Sequence, residues 1–249
     1  MTMRTGKGNS YWSVVSSVRF SGWAKLQLGD YYILTGKIWD ASLAYSQVDK
    51  AFREDQLGEE ARFRNAKLAY YRSDFEWAQG QLSVLKASTS ELIANDAMYL
   101  SVLITENIPP DSVMTPLQRF AYADLLLFQN KDKEAEALLD SIAQAFPKHP
   151  LNDDILMLRS RLAVKHRDYK LALDYLRQVY EACKNCGKDD LLRDDALFRT
   201  ADIYHHFLEQ PVLAKQYYEQ LILDFPGSTF VQTARQKLAE LDNPEPVIP

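Results

Sequence analysis

The sequence predicts an all-α fold, a solenoid of antiparallel helix hairpins, and three of its features carry that prediction. Small residues recur in pairs twelve positions apart, Gly29/Ala41, Ala66/Ala78, Ala123/Ala135 and Ser160/Ala172, with Ala201/Ala214 stretched to thirteen. Each pair marks where two helices joined by a short turn touch, because only Gly, Ala or Ser lets their backbones come close. None of the ten prolines falls inside a helix: seven stand at helix boundaries or in the loops between them and three in the tail, as required if a proline inside a helix costs about 3 kcal/mol. The apolar spacing follows 3.6 rather than 2, and no Asn-Gly or Asp-Gly turn joins alternating runs.

Pairs and prolines together delimit twelve helices. The first hairpin spans 22–34 and 37–53, and the stretch 10–20 either adds a short helix before it or extends its first helix. The second hairpin spans 58–71 and 74–87 around Ala66 and Ala78. A helix at 92–106 is closed by Pro109 and Pro110, and Pro116 opens 115–129, which meets 131–146 through Ala123 and Ala135. Pro147 and Pro150 separate that hairpin from 151–166 and 168–183, joined at Ser160 and Ala172. The last hairpin is 191–208 and 211–225, with Pro211 in a first helical turn and Pro226 beyond the end. A helix at 228–241 closes the array. The domain plan is a lead-in at 1–21, a solenoid at 22–241 and a proline-rich tail at 242–249.

The second-helix alanines at 41, 78, 135, 172 and 214 give repeat lengths of 37, 57, 37 and 42. Spacing within a hairpin is fixed by helix contact, whereas loops between hairpins lengthen at little cost in free energy. The 57-residue step contains the 92–106 helix and the loop after it, so a change of path and a break between sub-arrays are expected near 107–115. Asn95-Asp96, Asp153-Asp154 and Asp194-Asp195 recur at three helix openings and are read as N-terminal caps. Neighbours on one helix point about 100° apart, which argues against such pairs as metal ligands.

Composition bounds the function. The chain has 249 residues, a net charge of -5 and a pI near 5.5, which argues against a nucleic-acid binder with its basic face. No apolar run approaches the roughly 20 residues of a membrane span, and Met1 to Phe20 lacks a secretory leader, so the chain as it stands reads as soluble. Cys183 and Cys186 are its only cysteines and cannot hold the fold together as disulfides. Their CxxC spacing, at a helix C-terminus, suits a lowered thiol pKa poorly. As half of a zinc site it lacks a second CxxC, although His205 or His206 could add a ligand. The four histidines fit no HExxH pattern, no Ser-His-Asp or Cys-His spacing is present, and no glycine-rich phosphate loop exists. An enzyme is not expected, nor a cofactor.

Leu28-Gly29-x-x-Tyr32, then Ala41 and Tyr45, and in the last repeat Ala201, Tyr204, Ala214, Tyr218 and Pro226, carry a resemblance to the tetratricopeptide repeat. The middle repeats keep the small residues and lose most aromatics, and Lys25 stands where the family has Trp. The resemblance covers about 22–241 and implies a right-handed superhelix whose first helices line a concave face. Carried over position by position, that face holds Trp23, Leu26, Asp30 and Ile33, then Phe63, Lys67, Tyr70 and Tyr71. It continues with Phe120, Asp124, Leu127 and Phe128, then Met157 and Arg161, then Phe198, Asp202, His205 and His206. Leu26 and Asp30 depart from the clamp by which some members hold a peptide carboxylate. Residues 214–238 look like repeats of bacterial envelope-assembly lipoproteins and Tol-Pal-associated proteins, and the chain resembles tetratricopeptide proteins of the Bacteroidota. That resemblance implies a periplasmic location, whereas Met1 as the native start would imply the cytoplasm.

The expectation is a non-catalytic scaffold, monomeric or weakly dimeric, that holds a peptide or helix of a partner protein in its groove, in envelope assembly if the resemblance extends so far. Two alternatives are a redox- or metal-responsive protein acting through Cys183 and Cys186, and a structural subunit stacking end to end through its terminal helices.

Overall fold

The computed structural model describes residues 8–88, 90–108, 114–182 and 190–242. Among them the regular elements are twelve α-helices and no strand: α1 (Gly8–Leu34), α2 (Ile38–Ala51), α3 (Gln56–Tyr71), α4 (Phe75–Leu85), α5 (Glu91–Glu106), α6 (Thr115–Phe128), α7 (Asp132–Ala145), α8 (Leu151–Lys165), α9 (Tyr169–Ala182), α10 (Asp190–His206), α11 (Pro211–Asp224) and α12 (Val231–Asp242). The stretch 10–20 extends the first helix, since no proline breaks the run from Gly8 to Leu34. The last helix opens at Val231 rather than 228 because the Ser228 hydroxyl accepts from Phe230 N at 3.1 Å and holds a turn there. The expected change of path at 107–115 falls largely outside the described residues, as do Cys183, Cys186 and the tail beyond Asp242.

The turn inside each hairpin is built the same way. Gly36, Ser73, Asn130 and Arg167 each lie seven residues after the small residue of their first helix, and Glu209 lies eight after Ala201. All five have φ between 52° and 77°, the left-handed conformation that ends a helix and turns the chain back. The backbone bonds are those of a Schellman cap: Lys37 N to Tyr32 O at 2.7 Å, Asp74 N to Ala69 O at 2.9 Å and Asp168 N to Ala163 O at 2.9 Å. Asp74 and Asp168 then cap the second helix, accepting from Trp77 N at 3.4 Å and Leu171 N at 3.1 Å.

The chain divides into two compact units, residues 1–104 with 128–131, and residues 105–127 with 132–249. In the first, α1 to α4 pack each on the next, and α1 also meets α3. In the second, α7 to α12 pack each on the next, and α8 also meets α10. The first helices α1 and α8 therefore touch both their hairpin partner and the following first helix. The small residues Ala41, Ala66, Ala78, Ala123, Ala135, Ala172, Ala201 and Ala214 are fully buried. In the second unit one core gathers Met157, Leu176, Val179 and Ile203, and the next gathers Leu197, Tyr218, Leu221 and Phe225.

Three substitutions separate backbone needs from packing needs. Gly80 is exposed inside α4 with open space where a Cβ would stand, so Gly80→Ala raises stability by about 0.5–1 kcal/mol. Arg167 holds φ at 61° without being glycine, so Arg167→Gly raises it by about 1 kcal/mol. A Cβ on Gly58 would stand 2.0 Å from the Phe52 carbonyl oxygen, which cannot swing aside, and Gly58→Ala lowers it by about 2 kcal/mol. Urea unfolding followed by helical circular dichroism measures all three, and a stabilised Gly58→Ala would refute that placement.

Candidate protein-binding surface

The residue following each first-helix small residue is Asp30, Lys67, Asp124, Arg161 and Asp202 in turn, a row of alternating charge. Two of its members are tied to the hairpin itself. Tyr45 of α2 lies over Gly29 and donates its hydroxyl to Asp30 Oδ1 at 2.6 Å, while Arg64 Nη1 donates to Asp30 Oδ2 at 2.6 Å and its Nε to Glu60 at 2.9 Å. In the last hairpin Tyr218 of α11 repeats the arrangement, donating to Asp202 Oδ1 at 2.6 Å. Both tyrosines are fully buried, and burial, then the hydrogen bond, then the carboxylate charge push both phenols far up. The middle hairpins carry Leu82, Leu139 and Leu176 in the tyrosine's place. There Asp124 is set against Arg161 of the next first helix at 3.6 Å.

The sequence assigned several residues to an open groove that the structure packs away. Tyr70 is fully buried against Phe75 and Tyr71, with ring centroids 6.0 and 5.8 Å apart. Tyr71, Phe120 and Asp124 are buried as well. The cause is helical geometry: Tyr70 lies four residues after Ala66 and Phe120 three before Ala123, so each shares the face that its small residue presses on a neighbour. Leu26, Ile33 and Met157 are buried for the same reason. Phe198 stacks on Phe230 at 4.6 Å, so the segment leading into α12 covers part of the last first helix. His205 stacks on His206 at 4.1 Å and lies edge-on to Tyr218; burial, with His206 and Lys237 nearby, lowers its pKa.

In the first unit Trp23 remains exposed, and Phe63, Lys67 and Phe128 remain half-open. Lys67 Nζ lies 5.6 Å from the centre of the Tyr71 ring, and the Phe128 ring centre lies 6.4 Å from it. In the second unit Arg161 stays exposed. The recurrent acids are less uniform than their sequence echo: Asp153 and Asp154 do lie in the first turn of α8, but Asp194 and Asp195 sit a turn inside α10, buried, with Asp195 paired to Arg199 at 2.8 Å. Among the described residues no group of three His, Cys, Asp or Glu is placed to hold a metal ion. Among them, too, no helix is long and apolar enough to cross a membrane.

A small residue in α10, a left-handed turn, a second helix with a buried tyrosine and a proline at its end define the last hairpin as one unit of a repeat. Residues 195–228 match the tetratricopeptide repeat. The matched repeat begins at Asp195 in α10 and ends at Ser228, just past α11. The other four hairpins repeat its paired small residues and left-handed turn at spacings one residue shorter, in an all-helical chain of the kind that this family builds. Tetratricopeptide repeats in general serve as protein-interaction scaffolds. No protein of curated function matches the chain.

Proposed function

We propose that the protein is a non-catalytic scaffold that holds a peptide or a helix of a partner protein on its first-helix surface. The observation that carries this reading is the set of side chains left open in the first unit, Phe63 and Lys67 on α3 and Phe128, which meets the same Tyr71 ring as Lys67, together with the exposed Trp23 of α1. Half-buried aromatics around a cation offer apolar area at low entropic cost and one charge for orientation, the composition that anchors interfaces. Arg161 offers a comparable cation in the second unit. The extension of this role to the cell envelope rests on the likeness of residues 214–238 to envelope-assembly repeats.

A photo-reactive phenylalanine placed at 23 or 63 is expected to cross-link a discrete partner in native extract, while the same group at Leu223, exposed on α11, yields none. Equal cross-linking at all three positions would remove the first-helix surface from consideration. Lys67→Glu is expected to weaken capture by about ten-fold or more if the partner presents an acid there.

A further inference from the structure

On the second unit a groove of about 1000 Å³ runs between α9 and α11, floored by α10. Leu173 of α9, Leu197 and Leu208, and the stacked rings of Tyr204 and Tyr217, 5.5 Å apart and 7° from parallel, give it an apolar lining, with Thr200, Gln210 and Gln220 as polar members. The near rim is the outermost ridge of α9, where Lys170, Asp174, Arg177 and Glu181 follow one another at spacings of four, three and four. These four fall within one narrow stripe of a 3.6-residue helix, opposite the buried Ala172, Leu176 and Val179.

The ridge reads plus, minus, plus, minus, and reversed it reads the complement. An antiparallel copy of α9 therefore sets Lys170 against Glu181 and Asp174 against Arg177, and both pairs again on the other side of a two-fold axis midway between 174 and 177. We propose that this face docks a second copy of the chain, with the α9 ridges of the two copies antiparallel and in contact and the two α9–α11 grooves facing each other. One isologous contact then covers both grooves and closes the assembly at two. It also brings cover to Leu171, which is 40% exposed on the flank of the ridge. Within one chain Asp174 accepts from Arg177 at 2.5 Å and from Gln178 at 2.9 Å, but solvent screens exposed pairs along one helix, so exchanging them across an interface costs little. A contact of this size belongs to the small, weak class, with Kd of about micromolar or above and falling affinity at high salt. This differs from end-to-end stacking through terminal helices, which is open-ended.

The test exchanges charges. Lys170→Glu with Arg177→Glu makes the ridge wholly acidic, and Asp174→Lys with Glu181→Lys makes it wholly basic. Sedimentation velocity across about 10–300 μM is expected to show a salt-sensitive monomer–dimer equilibrium for the wild type, with each variant at least ten-fold weaker. Mixing the two variants is expected to restore a one-to-one pair, read by native mass spectrometry. A wild type that stays monomeric, variants that dimerise like the wild type, or helical variants that do not pair on mixing would each overturn the proposal. If a double variant loses its helical circular dichroism, the single reversals Arg177→Glu and Asp174→Lys make the same exchange at the centre of the ladder.

Discussion

Raising the pH from 10 to about 11.5 is expected to destabilise both units steeply, and replacing Tyr45 and Tyr218 by phenylalanine to flatten that fall. Each phenol is fully buried and donates to a carboxylate 2.6 Å away, Asp30 or Asp202, so the native state holds it protonated. The folded pKa of both is raised above the value of about 10 in an unfolded chain. A raised pKa gives stability that is complete below the unfolded value and is lost as pH climbs towards the folded one. Once the unfolded chain releases its protons, each tyrosine lowers stability by about 1.4 kcal/mol per pH unit, so about 2 kcal/mol each is lost by pH 11.5. Tyr204, raised by burial and by Tyr217, adds in the same direction. Near neutral pH the phenylalanine variants are less stable by about 1.5–3 kcal/mol each, the worth of a hydrogen bond to a charged group. Their curves should therefore approach the wild type's as pH rises. Urea midpoints at pH 8, 10 and 11 measure this, and parallel declines would show that these phenols do not control alkaline unfolding.

Those two Tyr-Asp bonds mark where the sequence was legible and where it was not. The helices could be read because proline, small-residue spacing and apolar periodicity act locally, and each observed element lies within a few residues of its expected range, apart from the long N-terminal extension of α1. The hairpin turns were harder. Only Gly36 among the five left-handed residues carries the glycine signal, and Ser73, Arg167 and Glu209 hold that conformation because the packed helices on either side dictate it. Groove positions carried over from the resemblance were least secure. Asp30 and Asp202 fall at positions of the concave face, yet each answers a tyrosine fifteen or sixteen residues later in its own hairpin. That co-occurrence was visible in the sequence: Asp follows the small residue where the second helix carries Tyr, whereas Lys67 and Arg161 follow it where Leu82 and Leu176 stand. Asp124, opposite Leu139, breaks the rule and is set against Arg161 instead. The burial of Tyr70 and Phe120 was also accessible, since residues three and four away from a packed alanine share its face.

The same hairpin logic makes Gly29→Ala destabilising in the wild type and stabilising once Tyr45 is leucine. A Cβ on Gly29 would stand 2.3 Å from Tyr45 Cε1 and 2.8 Å from two further ring atoms. The ring cannot yield, because it is fully buried and its hydroxyl is held by Asp30. Overpacking of this kind costs about 1–3 kcal/mol, and the roughly 1 kcal/mol by which alanine favours a helix interior offsets only part of it. In a Tyr45→Leu background the obstructing ring is gone and the helix preference remains, so adding Gly29→Ala should restore about 1 kcal/mol. The chain itself presents that combination: where the second helix carries Leu82, Leu139 or Leu176, the first carries Ala66, Ala123 or Ser160. Its last repeat accommodates Ala201 with Tyr218 at a spacing one residue longer, through a longer turn ending at Glu209. A double-mutant cycle of the four chains by urea unfolding is expected to give a coupling of about 2 kcal/mol between positions 29 and 45. Additive effects would mean that the glycine is not there to admit the tyrosine.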